Sequence, residues 1–147
     1  MEILETTLER VRRDHNFYIN GYVFMPEHVH LLMSEPMNGT VAEAVSTLKG
    51  STSKKLIQGR SRFWLPRYHD FNVFSAKKCQ EKINYMHENP VVRGLVARPE
   101  DYRWSSCRHY MFGERGVIEI ESQWTARLRE GRSGGSAGPP IAPKAAR

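Results

Sequence analysis

The sequence predicts an α+β fold in which helices cover one antiparallel sheet. Apolar residues recur at helical spacing in three separate segments, and two strand-like segments joined by a short turn lie between the first two of them. The chain has 147 residues, of which 39% are hydrophobic and 26% are charged. This length and composition are typical of one globular domain with one core.

The first predicted elements are a helix and a hairpin. Residues 2–14 carry an apolar stripe at helical spacing, and residues 17–25 are rich in the aromatic and β-branched residues that favour strands. A turn at Pro26 and Glu27 would return the chain as a second strand over residues 28–33. Because side chains alternate across a strand, one face should carry Val29, Leu31 and Met33 and the other His28, His30 and Leu32.

Two further helices are expected in the middle of the chain. Thr40 and Glu43 have the spacing of a capping box, which predicts a helix from residue 41 to about residue 58. Ser75 can cap another helix, which we expect to end at about residue 88 because Pro90 disfavours helical geometry at the residue before it.

We expect less regular structure in the rest of the chain. Residues 59–74 are aromatic but loop-like, and a short helix near 105–111 and a short strand over 116–122 are expected before the domain ends at residue 130. Residues 131–147 are rich in Gly, Pro, Ala and Ser and carry basic residues without an acid. We expect this segment to be a disordered basic tail.

Several classes of protein are excluded by composition. No apolar run approaches the roughly 18 residues that cross a membrane, and no secretion signal opens the chain. Cys79 and Cys107 match no zinc or redox spacing and are expected to be ordinary thiols. These observations favour a cytoplasmic protein.

The net charge of +6 is partly concentrated in residues 41–62, where Glu43 is the only acid. Such a segment suits a phosphate-facing surface, although charge alone more often means a solvated helix face. Residues 63–71 add aromatic rings that could stack on unpaired bases, although most of them are expected in the core. The candidate DNA contacts are Lys49, Lys54, Lys55, Arg60, Arg62, Arg67 and His69.

His28 and His30 form the most informative pair in the chain. Two histidines at this spacing on a strand point to one face and can bind one divalent metal ion. Such pairs are as often structural as functional. Here the alternate positions are strongly apolar, so the histidines would lie on the second face of a central strand, where a site or a covering helix must follow.

The helix predicted from residue 76 offers groups that suit phosphate chemistry. One of its faces carries Lys78, Lys82, Tyr85 and Asn89, and the stripe that would dock it carries Cys79, Ile83 and Met86. Without the histidines, a solvated face would be the better explanation. With a metal to polarise a phosphodiester, Tyr85 could attack it, Lys82 could neutralise charge and Asn89 could supply a third ligand.

Four blocks of the sequence resemble the REP-associated tyrosine transposases, which belong to the HUH superfamily of single-strand DNA transposases. The blocks are MPEHVHLLM, FWLPRYHDFNVFSAKK, INYMHENPVVRGLV and RPEDYRWSSCRHY, within a resemblance that spans about residues 2–128. It implies a ferredoxin-like HUH fold, with the histidines on a central strand and the tyrosine on a covering helix.

The resemblance also implies roles for individual residues. His28, His30 and Asn89 would bind Mg²⁺ or Mn²⁺, and Tyr85 would form a 5′-phosphotyrosine link. The partner would be single-stranded DNA with hairpins, such as REP-like repeats, which the family cuts and rejoins without ATP. A nucleoid-associated location follows from that partner.

One departure from the family pattern concerns the first strand. Relatives usually begin with a segment containing a strand, whereas this chain begins at the helix that follows it. Losing that strand would expose a sheet edge, threaten stability and DNA binding, and allow a homodimer through the edge.

The sequence leaves two other functions open. A non-catalytic remnant could bind DNA hairpins through residues 41–62 in a salt-dependent manner. A hydrolase with a nucleophilic histidine is less favoured, because Leu32 stands where a third alternating histidine would be. Replacing Tyr85 separates the transposase from both.

Overall fold

The computed structural model describes residues 1–56, 70–72, 75–133 and 144–146. Its helices are α1 (Glu2–His15), α2 (Val41–Leu56), α3 (Ala76–Val92), α4 (Cys107–Phe112) and α5 (Gln123–Ser133), with a 3₁₀ turn at Pro99–Asp101. Its strands are β1 (Ile19–Phe24), β2 (Val29–Met33), β3 (Asp70–Asn72) and β4 (Lys144–Ala146). The predicted α+β class is confirmed.

The predicted hairpin forms and places both histidines beside one turn. β1 and β2 pair antiparallel, with Phe24 opposite Val29 and Val23 opposite His30. The turn between them closes where the Met25 N–H donates to the carbonyl of His28 at 2.8 Å. His28 therefore precedes β2 directly, and His30 is its second residue.

β2 has strand partners on both sides. β1 lies along one side and β4 along the other, and β3 pairs with the far side of β4, so the order is β1-β2-β4-β3. All of these pairings are antiparallel. The homodimer expected through an exposed sheet edge stays a prediction.

The two faces of β2 are covered by different helices, as the alternation predicted. Val29, Leu31 and Met33 pack into a cluster with buried side chains of α1 and α2, among them Leu8 and Val45. Leu32 packs on the other side in a second cluster, whose α3 members are Ile83 and Met86. Since His30 shares the face of Leu32, it lies on the side that α3 covers.

Both predicted helix caps form. Thr40 and Glu43 make the reciprocal bonds of a capping box. The Thr40 N–H donates to the Glu43 carboxylate at 2.8 Å, and the Glu43 N–H donates to the Thr40 hydroxyl at 3.1 Å. Ser75 accepts the N–H of Lys78 at 3.1 Å and begins α3. These bonds satisfy N–H groups that would otherwise have no partner at a helix start.

α3 continues past the end predicted for it. We expected it to end at about residue 88, but it runs to Val92 with the buried Pro90 inside it. Proline removes one backbone donor, and the helix loses that bond. Bonding resumes directly, since the Arg93 N–H donates to the carbonyl of Asn89 at 2.9 Å. The continuation keeps Asn89 in helical register with Tyr85.

The remaining differences lie at the C-terminal end and in the middle of the chain. Residues 116–122 form no named strand, only a bridge between Ile120 and Ile19. α5 was not predicted, and it extends three residues into the expected tail. β3 and β4 lie in segments expected to be a loop and a disordered tail. Residues 57–69, 73–74, 134–143 and 147 lie outside the described residues.

Candidate active site

The imidazoles of His28 and His30 meet at their outer nitrogens. His30 is buried, His28 is half-buried, and their Nε2 atoms lie 2.8 Å apart. The rings cross edge to face with centroids 4.5 Å apart. Both nitrogens therefore point to the same small region between the turn and α3.

Asn89 brings a third polar group to that region from α3. Its side chain is buried, and its Nδ2 lies 2.9 Å from Nε2 of His30. The two ends of an amide group are nearly identical in shape. A half-turn of the amide therefore places Oδ1, an acceptable oxygen ligand, where Nδ2 lies.

These three residues fit a divalent metal ion. Two nitrogens that bind one ion at about 2.1 Å and near a right angle lie about 3 Å apart, close to the 2.8 Å between the two imidazoles. Two neutral imidazoles and an amide oxygen are a weak set for Mg²⁺ or Mn²⁺, which would keep water or phosphate oxygens as further ligands. Among the described residues, no group of three or more His, Cys, Asp or Glu is placed to hold a metal.

Tyr85 lies beside the histidines on the accessible face of α3. Its side chain is 54% exposed, and its ring meets that of His30 edge to face at a centroid distance of 5.8 Å. Ile83 and Met86 are buried against the sheet, so the helix is held with Tyr85 outward. Lys82 is half-buried three residues before Tyr85, and the exposed Lys78 pairs with Glu81 at 3.2 Å.

A buried polar junction fixes the register of α3, and sequence reasoning missed it. Nε2 of His87 lies 2.8 Å from Oγ of Ser106, which also accepts the N–H of Tyr22 on β1 at 3.1 Å. Burial lowers the pKa of His87 to about 4, so the imidazole is neutral at physiological pH. No spacing rule links residues 87 and 106, and only their membership in two of the resembling blocks could have suggested a role.

Gly21 allows α3 to approach β1 closely. A β-carbon at this position would lie 3.0 Å from Cε of Met86 and 3.4 Å from both Cγ1 of Ile83 and Oγ of Ser106. A glycine in a strand often marks such a close approach of another element. The approach brings the helix that carries Tyr85 and Asn89 down onto the hairpin that carries the histidines.

The predicted DNA contacts are largely outside what the structure describes. Lys49 lies half-buried on α2, and burial lowers its pKa. Lys54 and Lys55 lie in α2 by their backbone, but their side chains are outside the described residues. Arg60, Arg62, Arg67 and His69 are outside them entirely. This set of contacts stays a prediction.

The burial of Leu32 argues against the hydrolase alternative. Its side chain is fully buried between β2 and α3, so the position where a third histidine would stand belongs to the core.

Within the part of the chain that the structure describes, no helix combines the length and apolar character needed to cross a membrane.

Comparison with known proteins identifies the family. Residues 1–89 match the model of the family described as "Transposase IS200 like". A REP-associated tyrosine transposase of Escherichia coli (strain K12) is 26% identical over 122 residues, which cover 82% of this chain and 71% of that protein. A solved structure of a REP-associated tyrosine transposase bound to a REP hairpin matches with a TM-score of 0.67 at 23% identity, over 82% of this chain and 73% of that one. This likeness confirms the predicted HUH fold, and the chain belongs to the IS200-like transposase family.

Proposed function

We propose that this protein is a metal-dependent transposase that cuts and rejoins single-stranded DNA beside hairpins through a covalent link to Tyr85. The observation that carries the proposal is the convergence of two distant segments on one small region. The hairpin supplies the paired imidazoles of His28 and His30, and α3 supplies the amide of Asn89 and the exposed phenol of Tyr85. Family membership supports the same class of reaction.

In the proposed cleavage, the phenolic oxygen of Tyr85 attacks a backbone phosphate. A bond forms between Oη and phosphorus, the bond from phosphorus to the 3′ oxygen breaks, and that oxygen takes up a proton to leave as a 3′ hydroxyl. The proton of the phenol passes to solvent. The 5′-phosphotyrosine conserves the bond energy, so a 3′ hydroxyl can rejoin the strand without ATP.

The neighbouring residues are proposed to prepare the phosphate for attack. His28, His30 and Asn89 would hold Mg²⁺ or Mn²⁺, and such an ion, when bound, polarises a phosphate oxygen and orients the group. Lys82, one helical turn before Tyr85, would offset negative charge that builds on the phosphate. The exposure of Tyr85 leaves room for a DNA strand at its hydroxyl.

The proposed substrate follows from the known relatives. The solved relative was bound to a REP hairpin, which supports hairpin-containing single strands as partners of this chain. Lys49, Lys54, Lys55, Arg60, Arg62, Arg67 and His69 are the proposed contacts to DNA. Action on chromosomal repeats would place the protein in the cytoplasm at the nucleoid.

A covalent-adduct assay tests this function. The protein is incubated with single-stranded hairpin DNA from the flanks of its own gene, with and without Mn²⁺, and separated on a denaturing gel. We expect a protein–DNA band that requires both the metal and Tyr85, so Tyr85→Phe should lose it. Tyr18→Phe is the matched control, because Tyr18 is similarly exposed at 42% but lies before β1, outside the site.

Each other outcome of the assay has a definite meaning. An adduct that persists in Tyr85→Phe would refute Tyr85 as the nucleophile. Hairpin binding without any adduct, seen by mobility shift, would instead indicate a protein that recognises DNA hairpins without cutting them.

A further inference from the structure

Glu27 lies in the turn of the hairpin that carries His28 and His30, facing the end of α3. One of its carboxylate oxygens, Oε1, lies 2.6 Å from Nη2 of Arg93, and the other, Oε2, lies 3.8 Å from Nδ1 of His28. A single side chain in the turn thus faces a histidine of the proposed metal site on one side and a residue at the end of α3 on the other.

The two ring nitrogens of His28 face different neighbours, His30 and Glu27. Its Nε2 points towards Nε2 of His30, and its Nδ1 points towards Glu27. A histidine that binds a metal through one nitrogen commonly donates its other N–H to a carboxylate or carbonyl, which fixes the tautomer and the ring orientation. The carboxylate of Glu27, at 3.8 Å from Nδ1, lies just beyond hydrogen-bond distance, and a small rotation of its exposed side chain would let it accept this N–H.

Arg93 ties this carboxylate to the other half of the site. It caps the C-terminal end of α3, where its N–H donates to the carbonyl of Asn89 at 2.9 Å. Its side chain then reaches the turn and donates to Glu27. The contact path therefore runs from Asn89 through Arg93 and Glu27 to His28, around the outside of the proposed metal ligands.

The exposure of the ion pair indicates orientation rather than stability as its role. The side chains of Arg93 and Glu27 are 45% and 58% exposed, and an ion pair between such side chains adds little to the free energy of folding. Removing either partner should leave the fold intact while releasing the ring of His28.

Resting on the proposed function, we propose that Glu27, held in place by Arg93, is a positioning residue for His28. After a small rotation from its 3.8 Å separation, its carboxylate accepts the Nδ1–H, which leaves the lone pair of Nε2 for the divalent ion. Its ion pair with Arg93 couples the hairpin to α3. Neither Glu27 nor Arg93 touches the DNA phosphate in this role. Both act through the orientation of a metal ligand.

Direct Mn²⁺ binding, measured by electron paramagnetic resonance without DNA, tests the inference independently of cleavage. Glu27→Gln should weaken Mn²⁺ binding by about tenfold or more, the size of effect typical of residues that orient metal ligands. Glu114→Gln is the matched control, because Glu114 pairs with Arg108 at the same 2.6 Å and similar exposure on α4 and its following loop. The control should bind Mn²⁺ like the wild-type protein.

Arg93→Gln separates positioning from simple charge. Removing a positive charge near a cation site should tighten Mn²⁺ binding if only electrostatics acts. Positioning predicts the opposite, a weakening of several-fold, because Glu27 is then free to turn away from His28. At saturating Mn²⁺, both variants should regain the wild-type rate of adduct formation.

The outcomes distinguish this inference from the proposed function. Wild-type binding of Mn²⁺ in Glu27→Gln, or tighter binding in Arg93→Gln, would overturn the positioning role while leaving the transposase proposal intact. A wild-type protein that fails to bind Mn²⁺ would contradict the metal site itself, and the positioning role with it.

Discussion

Gly21→Ala should weaken the contact between α3 and the sheet on which the site is built. The added methyl carbon would lie 3.0 Å from Cε of Met86 and 3.4 Å from Cγ1 of Ile83, whereas carbon atoms pack best at about 3.5–4.0 Å. Overpacking of this kind costs about 1–3 kcal/mol of folding free energy. Alanine also lowers the conformational entropy of the unfolded chain, which offsets roughly 0.4–1 kcal/mol of that cost. We therefore expect a net destabilisation of roughly 1–2 kcal/mol.

Urea unfolding followed by tryptophan fluorescence measures this change. The matched control is Gly50→Ala in α2, where an added β-carbon meets nothing within 4 Å and helix propensity predicts a gain of roughly 0.5–1 kcal/mol. Met86→Leu removes the closest atom, so Gly21→Ala combined with it should cost less than the sum of the two single changes. A Gly21→Ala protein as stable as the wild type would refute the close approach of α3 to β1.

Two further predictions concern stability. Burial lowers the pKa of His87 to about 4; because the unfolded chain then binds a proton that the folded one excludes, stability should fall as the pH drops from about 6.5 towards 4, by about 2 kcal/mol at pH 5. His87 faces Ser106 and the ring of Tyr110, neither of which titrates in that range. His87→Gln should therefore flatten this part of the pH profile of stability measured by urea unfolding. An unchanged profile would contradict the assignment of the pH dependence to His87. Thr40→Ala should cost about 0.5–2 kcal/mol in the same assay by removing the cap of α2, and a variant within error of the wild type would show that the capping box contributes nothing.

The faces of β2 and α3 could be predicted because short-range periodicity decides them. Alternation along a strand separates His30 from Leu31 whatever the rest of the chain does, and the helical stripe of Ile83 and Met86 leaves Tyr85 outward. Those two patterns, with the tertiary pairing of the hairpin and α3, are sufficient to bring His28, His30, Tyr85 and Asn89 together.

The features that the sequence did not predict depend on contacts between distant segments. Pro90 is buried inside α3, and the backbone bonding resumes at Arg93. Local propensity alone predicts that the helix ends before a proline. His87 and Ser106 meet although they are 19 positions apart in the sequence. Glu27 and Arg93 form an ion pair across 66 positions. No local pattern marks such pairs before the fold is known.

The most direct test of the central claim is to identify the residue that carries DNA. The adduct formed with Mn²⁺ is digested with a nuclease and with trypsin, and the peptides are analysed by mass spectrometry. Cleavage after Lys82 and Arg93 releases the peptide INYMHENPVVR, whose only tyrosine is Tyr85. We expect this peptide to carry a 5′-linked nucleotide on that tyrosine. A nucleotide on any other residue, or an adduct-free protein after incubation with its cognate hairpin, would contradict a tyrosine transposase centred on Tyr85.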